Sequence, residues 1–213
     1  QLPHHFINGL TEEGEIVLDP MAGSGTTVLE ALIMGRSGIG TDIDPLALLL
    51  AQVKTTPVGP QHAAWEGLKA LQLARSNIEK HPTVLAEQYQ KRFDEKTTDF
   101  IDYWFPVTSQ LELFALAQQI ARVEDDCIRR FLQLTFSATI ITKSAGITWA
   151  RDLAHTRPHR VPIKRFRSPF VEFQKRLEAT RKTYRRYTRP EAWHWSSMWM
   201  PSTWLCVTTL FNS

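Results

Sequence analysis

The chain has 213 residues, 43% of them apolar, a net charge of +3 and two cysteines. That length and apolar share can bury one substantial core, which excludes wholesale disorder. No run of about 18 apolar residues exists to span a bilayer, and Cys127 and Cys206 lie far apart with no ligand-like spacing around either, which gives a disulfide framework or a zinc site little support, so both are expected as small buried apolar residues.

The opening Gln1-Leu2-Pro3-His4-His5 has neither a basic nor an apolar leader segment, and the expected setting is soluble and cytoplasmic. The first region, residues 1–60, reads as a β-α-β-α unit. A short helix precedes a β-prone run at residues 15–19, Glu-Ile-Val-Leu-Asp, and a glycine-rich turn then leads into the helical stretch from Thr27 to Met34. Gly35 suits the left-handed helix end, residues 37–44 give a second strand, and Pro45 opens another helix. Strands joined by helices in this way normally build a parallel sheet.

Residues 61–150 form a helical lobe. Leu111, Phe114, Ala115, Gln118 and Ile120 mark one amphipathic helix. Residues 127–143 are apolar around much of the helical circumference and predict a buried helix. Residues 151–190 are basic: between Arg151 and Arg189 there are thirteen Lys/Arg against three acids, a local balance of +10, while the remainder carries twelve bases and nineteen acids, or −7. Such asymmetry points to one region facing a polyanion. Its prolines, Pro158, Pro162 and Pro169, predict extended chain first and a helix from Phe170 to Tyr187. His155 and His159 have the spacing of metal ligands on a helix, but Pro158 and the neighbouring arginines oppose both a helix and a cation, and no metal is expected. Residues 191–213 are irregular and rich in tryptophan, with Trp193, Trp195, Trp199 and Trp204 following no clear period. A truncated or disturbed end, an aromatic core strand and a stacking tail are three readings of it, the first preferred.

The chemistry is carried by the turn. Asp19-Pro20-Met21-Ala22-Gly23-Ser24-Gly25-Thr26-Thr27 puts small residues where a strand bends sharply into a helix, so the backbone can approach a ligand closely. The helix start offers unpaired N–H groups to a carboxylate or phosphate. About twenty residues on, Asp42 ends the second strand, where a carboxylate can accept from both ribose hydroxyls. Asp44 is either a further nucleoside contact or the cap of the helix that Pro45 opens.

Leu18-Asp-Pro-Met-Ala-Gly-Ser-Gly-Thr-Thr, with Glu30-Ala31, Gly35-Arg36 and Ile39-Gly-Thr-Asp-Ile-Asp-Pro45, resembles the cofactor motifs of DNA methyltransferases directed at the exocyclic amine of adenine (N6) or cytosine (N4). The likeness covers residues 4–54 and does not extend to nicotinamide dehydrogenases, because Thr26, Thr27 and Val28 replace the end of their glycine pattern. The resemblance implies an α/β, Rossmann-like unit that binds S-adenosylmethionine on a partial parallel sheet, with a mainly helical insertion. It implies cofactor contacts at Asp19, Pro20, Ala22, Gly23, Ser24, Gly25, Thr26, Thr27, Asp42 and Asp44, with Asp19 toward the methionine part and Asp42 on the ribose. His5 to Leu10 matches only weakly the family's approach to the methionine end and reads more readily as a plain helix ahead of the first strand.

The family's catalytic loop, a polar residue followed by Pro-Pro and an aromatic, positions the target amine and stacks on a flipped base. No Pro-Pro pair occurs in this sequence, and Ser168-Pro169-Phe170 reads as a helix start with Ser168 as N-cap. The catalytic residues are therefore unassigned. The chain alone is expected to be inactive, either because the loop lies beyond it, as the motif order favours, or because catalysis is lost. Arg157, Arg160, Lys164, Arg165, Arg167, Arg185 and Arg186 are the expected DNA contacts, made mainly to backbone. An RNA base methyltransferase and a non-catalytic nucleic-acid-binding protein are the competing functions. An incomplete sheet is expected to expose apolar surface and lower solubility.

Overall fold

The computed structural model describes residues 2–140, 146–151, 159–160, 166–187 and 206–209, with the backbone alone at 151, 159, 180–187 and 206–209. The chain divides into two compact units, Gln1–Val58 with Arg189–Ser213, and Gly59–Thr188.

The first unit is α/β. Helix α1 (Leu2–Leu10) precedes β1 (Ile16–Asp19), α2 (Thr26–Ile33), β2 (Ser37–Asp42) and α3 (Pro45–Thr55). Strand β1 runs parallel to β2 with Leu18 opposite Ile39, and parallel strands require a crossover, which α2 supplies. On its other side β2 pairs in parallel with a strand from the far end of the chain, Cys206–Thr209, and the order is β1-β2-Cys206–Thr209. That segment falls in the region expected to be irregular; Val207, Thr208 and Thr209 are β-branched or β-compatible residues that a sheet edge recruits.

Two glycines on β2 let α2 lie directly on the sheet. A Cβ at Gly38 would stand 2.8 Å from Val28 Cγ1, and one at Gly40 would stand 2.9 Å from Val28 Cγ2. Val28 and Ala31 are buried in that contact. Arg36 ties the start of the unit together, donating to the Thr11 carbonyl at 2.7 Å and to Thr11 Oγ1 at 3.1 Å. On the opposite face of β1, Ile16 and Leu18 are 57% and 61% exposed, a surface of the kind anticipated for an incomplete sheet.

The second unit is mainly helical: α4 (Pro60–Lys80), α5 (Pro82–Arg92), α6 (Glu95–Trp104), α7 (Val107–Ala121), α8 (Asp126–Ile140) and α9 (Pro169–Tyr187). A short antiparallel hairpin pairs β3 (Ala150–Arg151) with β4 (His159–Arg160); the C-terminal strand above is accordingly β5. Helix α4 buries a stripe of Ala63, Gly67, Ala70, Leu71 and Ala74 at helical spacing, all but Leu71 small. A Cβ at Gly67 would meet Leu177 Cδ2 at 2.7 Å and Leu132 Cδ2 at 2.9 Å, so α8 and α9 pack close against it. Leu116, Leu132, Phe173 and Leu177 complete the core.

Helix α8 is not buried all round: it buries Ile128, Phe131, Leu132, Thr135 and Thr139 on one stripe, and its threonine hydroxyls bond to carbonyls within the helix. Cys127, in its first turn, is free and half-buried rather than buried. Among the described residues, no helix is long and apolar enough to cross a membrane.

Candidate functional site

All ten residues expected to contact a nucleoside cofactor converge where the carboxyl ends of β1 and β2 meet the starts of α2 and α3. In open parallel sheets that edge is where ligands bind. Strand β1 ends at Asp19, whose Oδ1 accepts from the Met21 N–H at 3.1 Å and so starts the bend. The loop is then stitched to the end of β2: the Ala22 N–H donates to the Thr41 carbonyl at 2.9 Å and Thr41 Oγ1 donates to the Pro20 carbonyl at 3.0 Å.

Gly25 completes the turn in the left-handed region at φ 77°. A Cβ there would lie 2.6 Å from the Cβ of Ala51, so α3 comes down onto the turn through a space that only glycine leaves. Helix α2 begins immediately after it, with no side chain capping its start. The first-turn amides of Thr26, Thr27 and Val28 thus have no helical carbonyl to meet and present a partial positive charge. Ser24 Oγ lies 3.5 Å from Thr26 Oγ1 on the same rim.

Asp42 does more than the sequence implied. Its Oδ2 accepts from the Gly23 N–H at 2.7 Å and its Oδ1 from the Asp44 N–H at 2.9 Å, so it clamps the glycine turn to the end of β2. The Asp44 amide above all, with the Gly23 and Ile43 amides, holds its carboxyl below the usual aspartate value against a modest desolvation. Each carboxylate oxygen accepts about two hydrogen bonds, so this clamp is compatible with a bound diol. Asp44 caps α3 through the Leu46 N–H at 2.9 Å, which is the structural one of its two expected roles.

Lys54, in the last turn of α3, was missed in the sequence. Its Nζ donates to the Ser24 carbonyl at 2.9 Å and braces the turn from below. A lone lysine at the end of an amphipathic helix carries no sequence signal for such a contact.

The expected nucleic-acid residues belong to the second unit. Arg160 lies exposed on β4. Arg167 stands 3.5 Å from Glu172 Oε1, which Lys175 also reaches at 3.0 Å, so part of its charge is met internally. Arg185 and Arg186 sit in the last turns of α9; Arg157, Lys164 and Arg165 lie outside the described residues, as do His155 and the tryptophans from 193 to 204. Ser168-Pro169-Phe170 is a helix start: Pro169 is the first residue of α9, and the Ser168 carbonyl accepts from the Val171 and Glu172 amides. The side chain that receives the Phe170 N–H is Glu112 of α7, at 3.3 Å, and it also accepts from Ser168 Oγ. Among the described residues, no group of three or more His, Cys, Asp or Glu is placed to hold a metal ion.

A glycine turn and an acid at the ends of adjacent parallel strands are an arrangement that α/β nucleotide-binding folds use to meet a nucleoside-bearing ligand. The pattern of a family described as DNA methylase matches residues 1–53. The chain is 30% identical to Type II methyltransferase M.MvaI of Kocuria varians over 144 residues, 66% of this chain and 31% of that protein. It is 43% identical to Type II methyltransferase M.MjaII of Methanocaldococcus jannaschii over 54 residues, 25% of this chain and 10% of that protein. Over residues 1–53 the chain is thus similar to the N4/N6 DNA methyltransferases. The chain spans less than a third of the length of either relative. No solved structure matches it.

Proposed function

We propose that this chain supplies the S-adenosylmethionine pocket and a DNA-facing surface of a methyltransferase acting on the exocyclic amine of adenine or cytosine, within a restriction-modification system. The observation that carries this reading is the clamp of Asp42 on Gly23, which puts an acid beside the glycine turn at the carboxyl edge of the sheet. S-adenosylmethionine suits that donor set. Asp42 would hold the ribose, Asp44 would add a nucleoside contact alongside the cap its Oδ1 makes on α3, the first-turn amides of Thr26 and Thr27 would meet the carboxylate, and Asp19, Pro20, Ala22, Gly23, Ser24 and Gly25 would line the methionine end. When bound, the cofactor supplies an activated methyl group on sulfur.

The DNA side rests on the +10 balance of residues 151–189, which favours a polyanion by counterion release. Without a Pro-Pro loop, these 213 residues bind but do not transfer.

The chain is to be incubated with methyl-labelled S-adenosylmethionine and either duplex DNA or structured RNA, with binding and label transfer followed separately. The expected outcome is preferential retention of duplex DNA and no label on either nucleic acid. Preference for the RNA would replace the substrate class, and label on DNA would show that the chain contains its own catalytic residues.

A further inference from the structure

The hairpin and the end of α6 set one arginine against two aromatic rings, which two further rings of α6 extend. Arg160 Cζ lies 4.2 Å from the centroid of the Trp149 ring and 4.8 Å from that of Tyr103. Tyr103 meets Trp104 edge-on at 4.9 Å, and Phe100, one turn earlier on α6, lies 6.4 Å from Trp104. The backbone fixes the group: the Trp149 N–H donates to the Trp104 carbonyl at 2.8 Å, and Ala150 pairs with Arg160 across the hairpin. Beneath it, Ile147 and Ala150 are buried.

A purely structural clasp accounts for Arg160 on Trp149, since an arginine stacked on two rings pins a two-residue hairpin to a helix. It does not account for the outer rings. Phe100 is 61% exposed and Tyr103 50% exposed, both on one face of α6, beside an exposed guanidinium in the most basic part of the chain. A phosphate needs the charge and not the rings. A nucleobase uses both, because its flat face stacks on aromatic and guanidinium planes alike while neighbouring cations hold the backbone.

We propose that Phe100, Tyr103 and Arg160, with Trp149 as the positioning ring, form a stacking site for an unpaired base of DNA. This rests on the DNA reading above and adds where the second unit engages a base that has left the duplex. The contact is sequence-tolerant, since every base has a stacking face.

The test compares a fully paired duplex with the same duplex carrying one extrahelical 2-aminopurine, titrated with the 213-residue chain. The wild type is expected to bind the extrahelical-base duplex more tightly and to quench the 2-aminopurine. Phe100→Ala and Arg160→Lys should each weaken that complex by about tenfold, and Phe100→Ala, which leaves the Arg160 clasp whole, should do so with affinity for the paired duplex, cofactor binding and the thermal midpoint unchanged. Arg160→Lys keeps the charge and loses the plane, so it separates stacking from electrostatics. Equal wild-type affinity for the two duplexes, or Phe100→Ala weakening both alike or neither, would leave only the clasp and overturn the proposal. Tighter binding of an unpaired base in RNA would overturn its DNA assignment. Wild-type binding to no nucleic acid would remove the DNA reading itself, an outcome distinct from equal binding to both duplexes.

Discussion

At the residue scale, Asp42 and Gly25 bear most of the site. The Asp42 carboxyl titrates below the ordinary aspartate value because the Asp44 amide of its own loop, and then the Gly23 amide of the glycine turn, donate to its ionised form. Its stabilising contribution is therefore fully present above the unfolded value, about pH 3.9, and disappears as pH falls through the lower folded value. The difference in thermal midpoint between wild type and Asp42→Asn is expected to be constant near neutrality and to shrink below about pH 4; a constant difference down to pH 2 would contradict the clamp. Gly25 and Gly23 both have positive φ, yet only Gly25 faces a neighbour. Gly23→Ala should cost about 1–2 kcal/mol for the left-handed backbone alone. Gly25→Ala should cost more, because its Cβ also collides with Ala51. Urea melts of the two variants check the order, and equal losses would show that the close approach of α3 to the turn is wrong.

At the element scale, what was legible followed from punctuation and period. Gly35 and Pro45 bound α2 and α3 as the sequence indicates, and α9 begins one residue before the Phe170 expected from Pro169. Strand β5 was not legible: four residues among scattered tryptophans have no period of their own, and their order comes from pairing with β2, far away in sequence. The β3–β4 hairpin failed for the same reason, being two residues on each side. In α8 the apolar composition overstated burial, since Thr135 and Thr139 occupy the inner stripe and satisfy their hydroxyls within the helix. Helix α9 exposes a dependence that no local pattern could contain, because Glu112 of α7 receives its first amide and the Ser168 hydroxyl. Glu112→Ala should therefore lower unfolding stability by about 1–2 kcal/mol. Glu112→Gln should lower it less, since the amide oxygen still accepts. No change in the urea midpoint of either would remove that cap.

At the scale of the whole molecule, the charge separates as the fold does: the basic stretch contributes Arg160, Arg167 and the last turns of α9 to the helical unit, while the glycine turn belongs to the α/β unit. The site was legible as a list of residues because its spacing reflects a strand, a turn and a helix in series. The hydrogen bonds among those residues were not, since Asp42–Gly23, Thr41–Pro20 and Lys54–Ser24 join positions about twenty or thirty apart through tertiary pairing. If α9 contributes phosphate contacts, Arg185→Ala/Arg186→Ala should weaken binding to all DNA sequences alike and reduce the salt slope by about 2. Unchanged affinity and slope would move the DNA surface elsewhere.

Calorimetric titration of S-adenosylmethionine into the chain and into Asp42→Ala decides whether the glycine turn and Asp42 form its pocket. Binding with a dissociation constant on the order of micromolar, about −8 kcal/mol, is expected for the wild type and should be lost in the variant with the helical circular dichroism unchanged. Absence of binding by the folded wild-type chain would contradict such a pocket.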